Sequence, residues 1–351
     1  MRMPVDVPLD SPGWSWDAVG PALVDFLGRR CLAFPDTLLI APLADLELTD
    51  GAVELDVAVT RERSFHGLVW RLVDDQGYES FFVRPHQVGN PDAIQYTPVF
   101  HGVSGWQLYH GPGFGAAVSF PIDAWFTIRV VFASSRAEVY VGDLAEPALV
   151  VGELKRAAVP GRIGIQVGGP GLHVSAVRYE AGPVALRAPA PVPVAATAGV
   201  VPAWSISDAF GEAAFPGDPV LDPATLAART WTHLGAEPSG LVDLARVSAL
   251  TEERNTVFAR TTVRAVSATV KLLEIGFSDR VVVYLNGRAL FRGNDTYRSR
   301  DYRFLGSIGF WDALFLPLLE GDNELVVAVS ETFGGWGVQA RFPDPTGIDF
   351  V

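Results

Sequence analysis

The chain has 351 residues, a formal charge of −13, 49% hydrophobic and only 19% charged residues. A sequence so apolar folds around packed cores rather than staying disordered, and its length suffices for two of them. An acidic balance without a Lys/Arg-rich run excludes nucleic acid and an anionic membrane surface as partners, because both need clustered positive charge.

The first residues, MRMPVDVPLDSPGWSWD, have no apolar stretch of signal-peptide type and are broken by acids and prolines. No later run reaches the roughly 18 apolar residues that cross a bilayer, so membrane insertion is not expected. The default expectation is therefore a cytoplasmic protein, or a secreted one if a signal has been removed. Trp14 and Trp16 are candidate packing anchors. From Asp17 to Arg30, Val19, Leu23, Phe26 and Leu27 fall at helical spacing behind an Asp17 N-cap, with Pro21 in the first turn; one short helix is expected here. The single cysteine, Cys31, has no partner for an internal disulfide and reads as a packed thiol.

From Leu38 onward the period changes to two. In AVELDVAVT (52–60), Val53, Leu55, Val57 and Val59 share one face while Glu54, Asp56 and Thr60 share the other. HGLVWRLV (66–73), YESFFVR (78–84), WFTIRVVF (125–132), AEVYVG (137–142), GRIGIQVG (161–168) and LHVSAVRYE (172–180) follow, separated by turns rich in Gly, Pro, Asp and Asn. Many short strands without intervening helices mean antiparallel sheets in a sandwich or jelly roll. The stretch 182–203 then concentrates proline, alanine and valine with one charge, Arg187, and reads as a semi-rigid linker. Behind it TVFARTTV (256–263), ATVKLLEIGF (268–277), DRVVVYLNGRALF (279–291), NELVVAVSE (323–331) and WGVQARF (336–342) are again strands. Asn286-Gly287 is a type I′ hairpin signal, since that turn needs positive φ at both central residues. The expected fold is thus all-β: two β-sandwich (jelly-roll) domains over 1–182 and 204–351, joined by the Pro/Ala-rich linker 183–203.

Two resemblances follow from these strands. The series GLVWRLVDDQGYESFFVRP (67–85), WFTIRVVF, AEVYVG and GRIGIQVGGPGLHVSAVRYE resembles concanavalin A-like lectin/glucanase domains of the laminin G-like kind over residues 38–181. The second half, through DRVVVYLNGRALFRG (279–293), LFLPLLEGDNELVVAVSE (314–331) and GGWGVQARF, is similar to galactose-binding-like jelly rolls. The resemblance implies sugar-associated sandwiches. Glucanase members of the first group carry alternating acids on one strand; here Glu54 and Asp56 alternate but Ala58 stands in the third place, which removes support for retaining hydrolysis by paired carboxylates.

Chemistry-bearing side chains concentrate between Tyr78 and Gly115, and four of the six histidines (His66, His86, His101, His110) lie in or just before this stretch. A sugar site needs an aromatic plate for the apolar ring face and planar polar groups for the hydroxyls. Arg71, Arg84, His86, Gln95, Tyr96, Trp106, Tyr109 and His110 supply that kit. Recognition of a carbohydrate or glycoside by the concave face of the first sandwich, without catalysis, is the leading expectation. The alternatives are an enzyme, a glycoside-directed hydrolase or lyase, with His86 or His110 as general base and Glu79 orienting it, and a structural or docking module. Alternation places Tyr78, Phe82, Arg84 and His86 on one side of their strand and Glu79, Phe81 and Val83 on the other, leaving open which side faces the cleft. The histidine spacings match no metal motif and no Asp-rich loop has regular calcium-ligand spacing, so no cofactor is expected, although such folds sometimes carry structural calcium. In the second domain Arg292, Asn294, Asp295, Tyr297, Arg298, Arg300, Asp301 and Tyr302 form a polar, aromatic loop, a secondary candidate beside Phe333–Trp336.

Overall fold

Period-two alternation commits most of the chain to half-buried strands, and the computed structural model is accordingly all-β. It describes residues 3–16, 20–190, 192, 195–215, 217–301 and 305–351. The chain forms two compact units, Met1–Val99 with Tyr109–Pro191 and Phe100–Leu108 with Val192–Val351. Among the described residues no helix is long and apolar enough to cross a membrane.

In the first unit an eight-stranded sheet runs in the order Leu149–Val151, Arg136–Val141, Phe126–Ala133, Gly51–Val59, Leu172–Ala181, Arg29–Ala33, Ala22–Phe26, with Val5–Val7 also paired to Leu172–Ala181. The facing sheet runs Gly115–Ala116, Ile94–Phe100, Gly77–Val83, His66–Asp74, Gly161–Gly169, Thr37–Leu48. Val53, Leu55 and Val57 of the first sheet and Leu68, Trp70, Phe81, Ile94 and Ile165 of the second interdigitate in one core. Strand Gly77–Val83 therefore turns Glu79, Phe81 and Val83 inward and Ser80 and Phe82 outward, settling the side that alternation left open.

The helix expected over Asp17–Arg30 is corrected by this sheet. Ala22–Phe26 and Arg29–Ala33 form a hairpin, with Phe26 opposite Arg29 and Val24 opposite Cys31; residues 17–19, including the expected cap Asp17 and Val19, lie outside the described residues. Leu27 and Gly28, both at positive φ (46° and 75°), make the turn that the helical spacing concealed. Phe26 is then held by tertiary contact: its ring stacks on His173 at 3.7 Å and meets Trp125 edge-on at 6.3 Å. Cys31 is fully buried, and burial pushes its thiol pKa up, as suits a packing residue.

The second unit pairs a larger sheet, Trp231–Gly235, Ala203–Ser207, Thr256–Ala265, Gly321–Ser330, Arg280–Leu285, Arg288–Asn294, with a four-stranded one, Leu241–Asp243, Gly337–Arg341, Thr269–Ser278, Asp312–Leu318. Trp204, Val257, Val283 and Val327 of the former meet Ile275, Leu316 and Val338 of the latter in its core, and Val103 joins them from Phe100–Leu108. Asn286 and Gly287 take positive φ (50° and 76°) and close the expected hairpin. The Asn286 carboxamide also accepts from the Glu324 backbone N–H and donates to Asn323, 2.9 Å each, so the turn is tied to the neighbouring strand.

Candidate functional site

Arg71, Glu79 and Tyr96 belong to the interior of the first unit rather than to an open face. Arg71 stands at positive φ (50°), where the pairing of His66–Asp74 with Gly77–Val83 slips register, and the irregularity turns its side chain in. Its Nε donates to the Thr49 carbonyl (2.9 Å), Nη2 donates to the Ser134 carbonyl (2.6 Å), and the guanidinium lies 5.7 Å from the Phe132 ring. Tyr96 Oη donates to Glu79 Oε2 (2.7 Å) while accepting from the Lys155 backbone N–H (2.9 Å), and the Arg156 N–H reaches Glu79 Oε1 at 3.0 Å. Burial pushes the Glu79 carboxyl above its ordinary range and the Tyr96 phenol well above its own. These groups staple the strand to the 155–156 loop. Glu79 faces the core, so it does not orient a histidine on the opposite side of the sheet.

Tyr109 is enclosed as well, its ring 5.4 Å from Phe114 and 5.8 Å from the Lys155 ammonium. Residues 106–108 form a turn and not a strand. The reason is visible at Gln107, whose N–H donates to the Gly334 carbonyl (2.7 Å), whose Nε2 donates to the Leu305 carbonyl (2.9 Å), and whose own carbonyl accepts from Ile308 N–H (3.0 Å). Trp106 consequently joins Tyr297 and Phe333 of the second unit, with ring centroids 6.3 and 6.1 Å away. That contact realises the pairing of the Tyr297 loop with Phe333. Tyr302 of the same loop lies outside the described residues. His110 is solvent-exposed.

What remains together is a rim at the end of strand Gly77–Val83. His66 pairs with Val83, so the residues just beyond, Phe65 and Arg84, become neighbours. Arg84 lies 4.8 Å from the Phe82 ring and 5.7 Å from Phe65, and Arg63 approaches the same Phe65 ring at 5.7 Å. The His86 ring meets Phe65 edge-on at 5.5 Å. Arg84 Nη1 donates to the Asp92 carbonyl (2.7 Å) and Nη2 to Gln95 Oε1, while Gln95 Nε2 donates to the Tyr109 carbonyl (2.6 Å). Gln95 is thus a bridge that fixes Arg84. Its acceptors are neutral, and neither Arg63 nor Arg84 forms an ion pair among the described residues. Burial lowers the Arg84 pKa to about 10, and burial together with the Arg63 and Arg84 charges lowers that of His86, so the half-buried imidazole is neutral. Its Nδ1 is enclosed without a partner. Arg63 and Phe65 were missing from the sequence reading; the signal for them was the hairpin register itself, which sets the residue before His66 beside the residue after Val83.

The alternating acids are also accounted for. Glu54 accepts from Arg129 (3.0 Å) and Arg178 (2.6 Å), and Asp56 accepts from Arg178 and Thr127 (2.7 Å each). Both carboxylates are spent in a guanidinium ladder on the eight-stranded sheet. Among the described residues no group of three His, Cys, Asp or Glu is placed to hold a metal ion.

No protein-family model matches this sequence, and no curated protein matches it. The chain is similar in structure to a carbohydrate-binding module from Bacillus subtilis, at TM-score 0.37 and 12% identity over 49% of this chain and 98% of the module. It is similar likewise to a glycosidic hydrolase, at TM-score 0.36 and 14% identity over 53% of this chain and 99% of that one. With Trypanosoma rangeli sialidase the TM-score is 0.29 and the identity 13%, over 43% of this chain and 25% of the sialidase.

Proposed function

We propose that the chain recognises carbohydrate without turning it over, and that the first unit takes a sugar bearing a carboxylate at the Arg63–Phe65–Arg84–His86 rim. The observation that carries this reading is the convergence of two guanidiniums, each 5.7 Å from one phenylalanine ring, with no carboxylate in an ion pair with either among the described residues. The half-buried Phe65 offers apolar surface for a sugar ring, the exposed Arg63 guanidinium offers paired N–H donors that match a carboxylate with the buried Arg84 charge behind it, and the neutral imidazole exchanges a hydrogen bond with a hydroxyl. Arg84 is held in place beforehand by Asp92 and Gln95, so little order is lost on binding. Binding alone is the better reading because the acids that the sequence offers for hydrolysis are occupied: Glu79 by Tyr96 inside the core, Glu54 and Asp56 by arginines.

The test is calorimetric titration of the full chain with oligosaccharides of glucuronic and galacturonic acid. Arg63→Ala and His86→Ala should each weaken binding by about tenfold, as loss of one charge-assisted or ring-nitrogen hydrogen bond implies, without changing the fold. Unaltered affinity in both variants would remove the rim from the account even where a sugar binds.

A further inference from the structure

The outward face of the larger sheet in the second unit is half covered and half open. Cross-strand register fixes what shares it: His233 stands opposite Ser205, Ser205 opposite Arg260, Arg260 opposite Val326, and Val326 opposite Tyr284. Two residues along, Thr262 stands opposite Glu324. At the Val326–Tyr284 end this face is apolar and lies under Phe210, Leu221 and Leu226, which form with it a satellite core. At the other end the covering segment stops and the same face turns polar. There two shallow cavities of about 370 and 400 Å³ open side by side, and Arg260 and Glu324 line both. The first also takes in Ser205, His233, Thr262 and Phe350; the second is walled by Leu221 and the short helix Pro223–Ala227.

We infer that this groove is a second ligand site, for a neutral oligosaccharide lying across the strands with one stretch of sugar in each cavity and the Arg260–Glu324 pair between them. The charges of that pair, 4.0 Å apart, balance each other, in contrast to the basic rim of the first unit. One member donates and the other accepts, which suits adjacent ring hydroxyls. Arg260 is held flat against Trp231, its guanidinium carbon 3.8 Å from the ring centroid, so the donor is oriented before a ligand arrives. A peptide strand is disfavoured as occupant: the Arg260–Glu324 pair at the centre of the groove stands on Thr256–Ala265 and Gly321–Ser330, inner strands with a partner on each side, and β-augmentation needs a free edge. Two cavities of like size sharing one polar pair fit a chain of repeating units better than a single small molecule.

The full chain should be titrated with neutral hexasaccharides of glucose, xylose, mannose and fructose and with the four monosaccharides. At least one hexasaccharide should bind, and its monosaccharide about tenfold or more weakly. Arg260→Gln and Glu324→Gln, whose side chains are 37% and 44% exposed and therefore tolerate exchange, should each lower that affinity by about tenfold. Arg63→Ala, in the first unit, should leave it unchanged. The inference is overturned if no hexasaccharide binds, if the monosaccharide binds as tightly, if both groove variants titrate like the parent chain, or if Arg63→Ala abolishes binding.

Discussion

His66 sets a pH dependence on the first unit. Its Nε2–H donates to the Pro170 carbonyl at 2.9 Å and its Nδ1 accepts from the Gly168 N–H at 3.4 Å, an arrangement open only to the neutral ring. Burial lowers its pKa from 6.5 to about 4. Because the folded state binds the proton less readily than the unfolded chain, the stability this residue contributes is complete above pH 6.5 and is lost as pH falls through 4. The loss amounts to roughly 3 kcal/mol. Urea unfolding should therefore show His66→Asn approaching the parent chain as pH falls from 7 to 4; a difference independent of pH contradicts the assignment. Asp295 in the second unit works in the opposite sense. Burial pushes its carboxyl up to about 6 despite Arg300 beside it, so its contribution is present below about pH 4 and is lost as pH rises through 6. Asp295→Asn should gain thermal stability relative to the parent between pH 4 and pH 7, and a gain that is the same at both ends would exclude the linkage.

Strands and their turns explain what the sequence made legible and what it hid. Strands such as 126–133 and 256–265 could be read directly, because alternation puts their apolar side chains in one core, and the Asn286-Gly287 turn announced its hairpin by residue type. The Ala22–Ala33 hairpin gave a false helical period because its turn begins with Leu27, a residue that seldom takes positive φ. Gly28 next to it has no atom within 4 Å of where a Cβ would stand, so replacing it meets only the backbone preference. Gly28→Ala should cost about 1 kcal/mol in urea unfolding and leave sugar binding unchanged. A neutral or stabilising effect contradicts the left-handed turn. Of the residues expected at the site, the position of Arg84 on the same side of its strand as Phe82 follows from local alternation. That of Arg71 does not, since a register slip reversed its direction, and that of Trp106 does not, since only Gln107's bonds to residues 305, 308 and 334 reveal where its segment packs.

On the scale of the whole chain, two sandwiches with separate cores carry unlike surfaces: in the first a rim with two guanidiniums that form no ion pair among the described residues, and in the second a charge-balanced groove. A net charge of −13 makes a local basic rim a matter of placement rather than of composition, and it is the feature that sets the ligand's charge in the account given above. The most direct test is a paired calorimetric titration of the full chain with a glucuronic acid oligosaccharide and its glucose counterpart of the same length and linkage, followed by mass spectrometry of the mixture. The acidic sugar should bind more tightly by about tenfold, lose that advantage in Arg63→Ala, and be recovered intact. Equal affinity for the two sugars, or cleavage products from either, would contradict recognition of a carboxylated sugar without turnover.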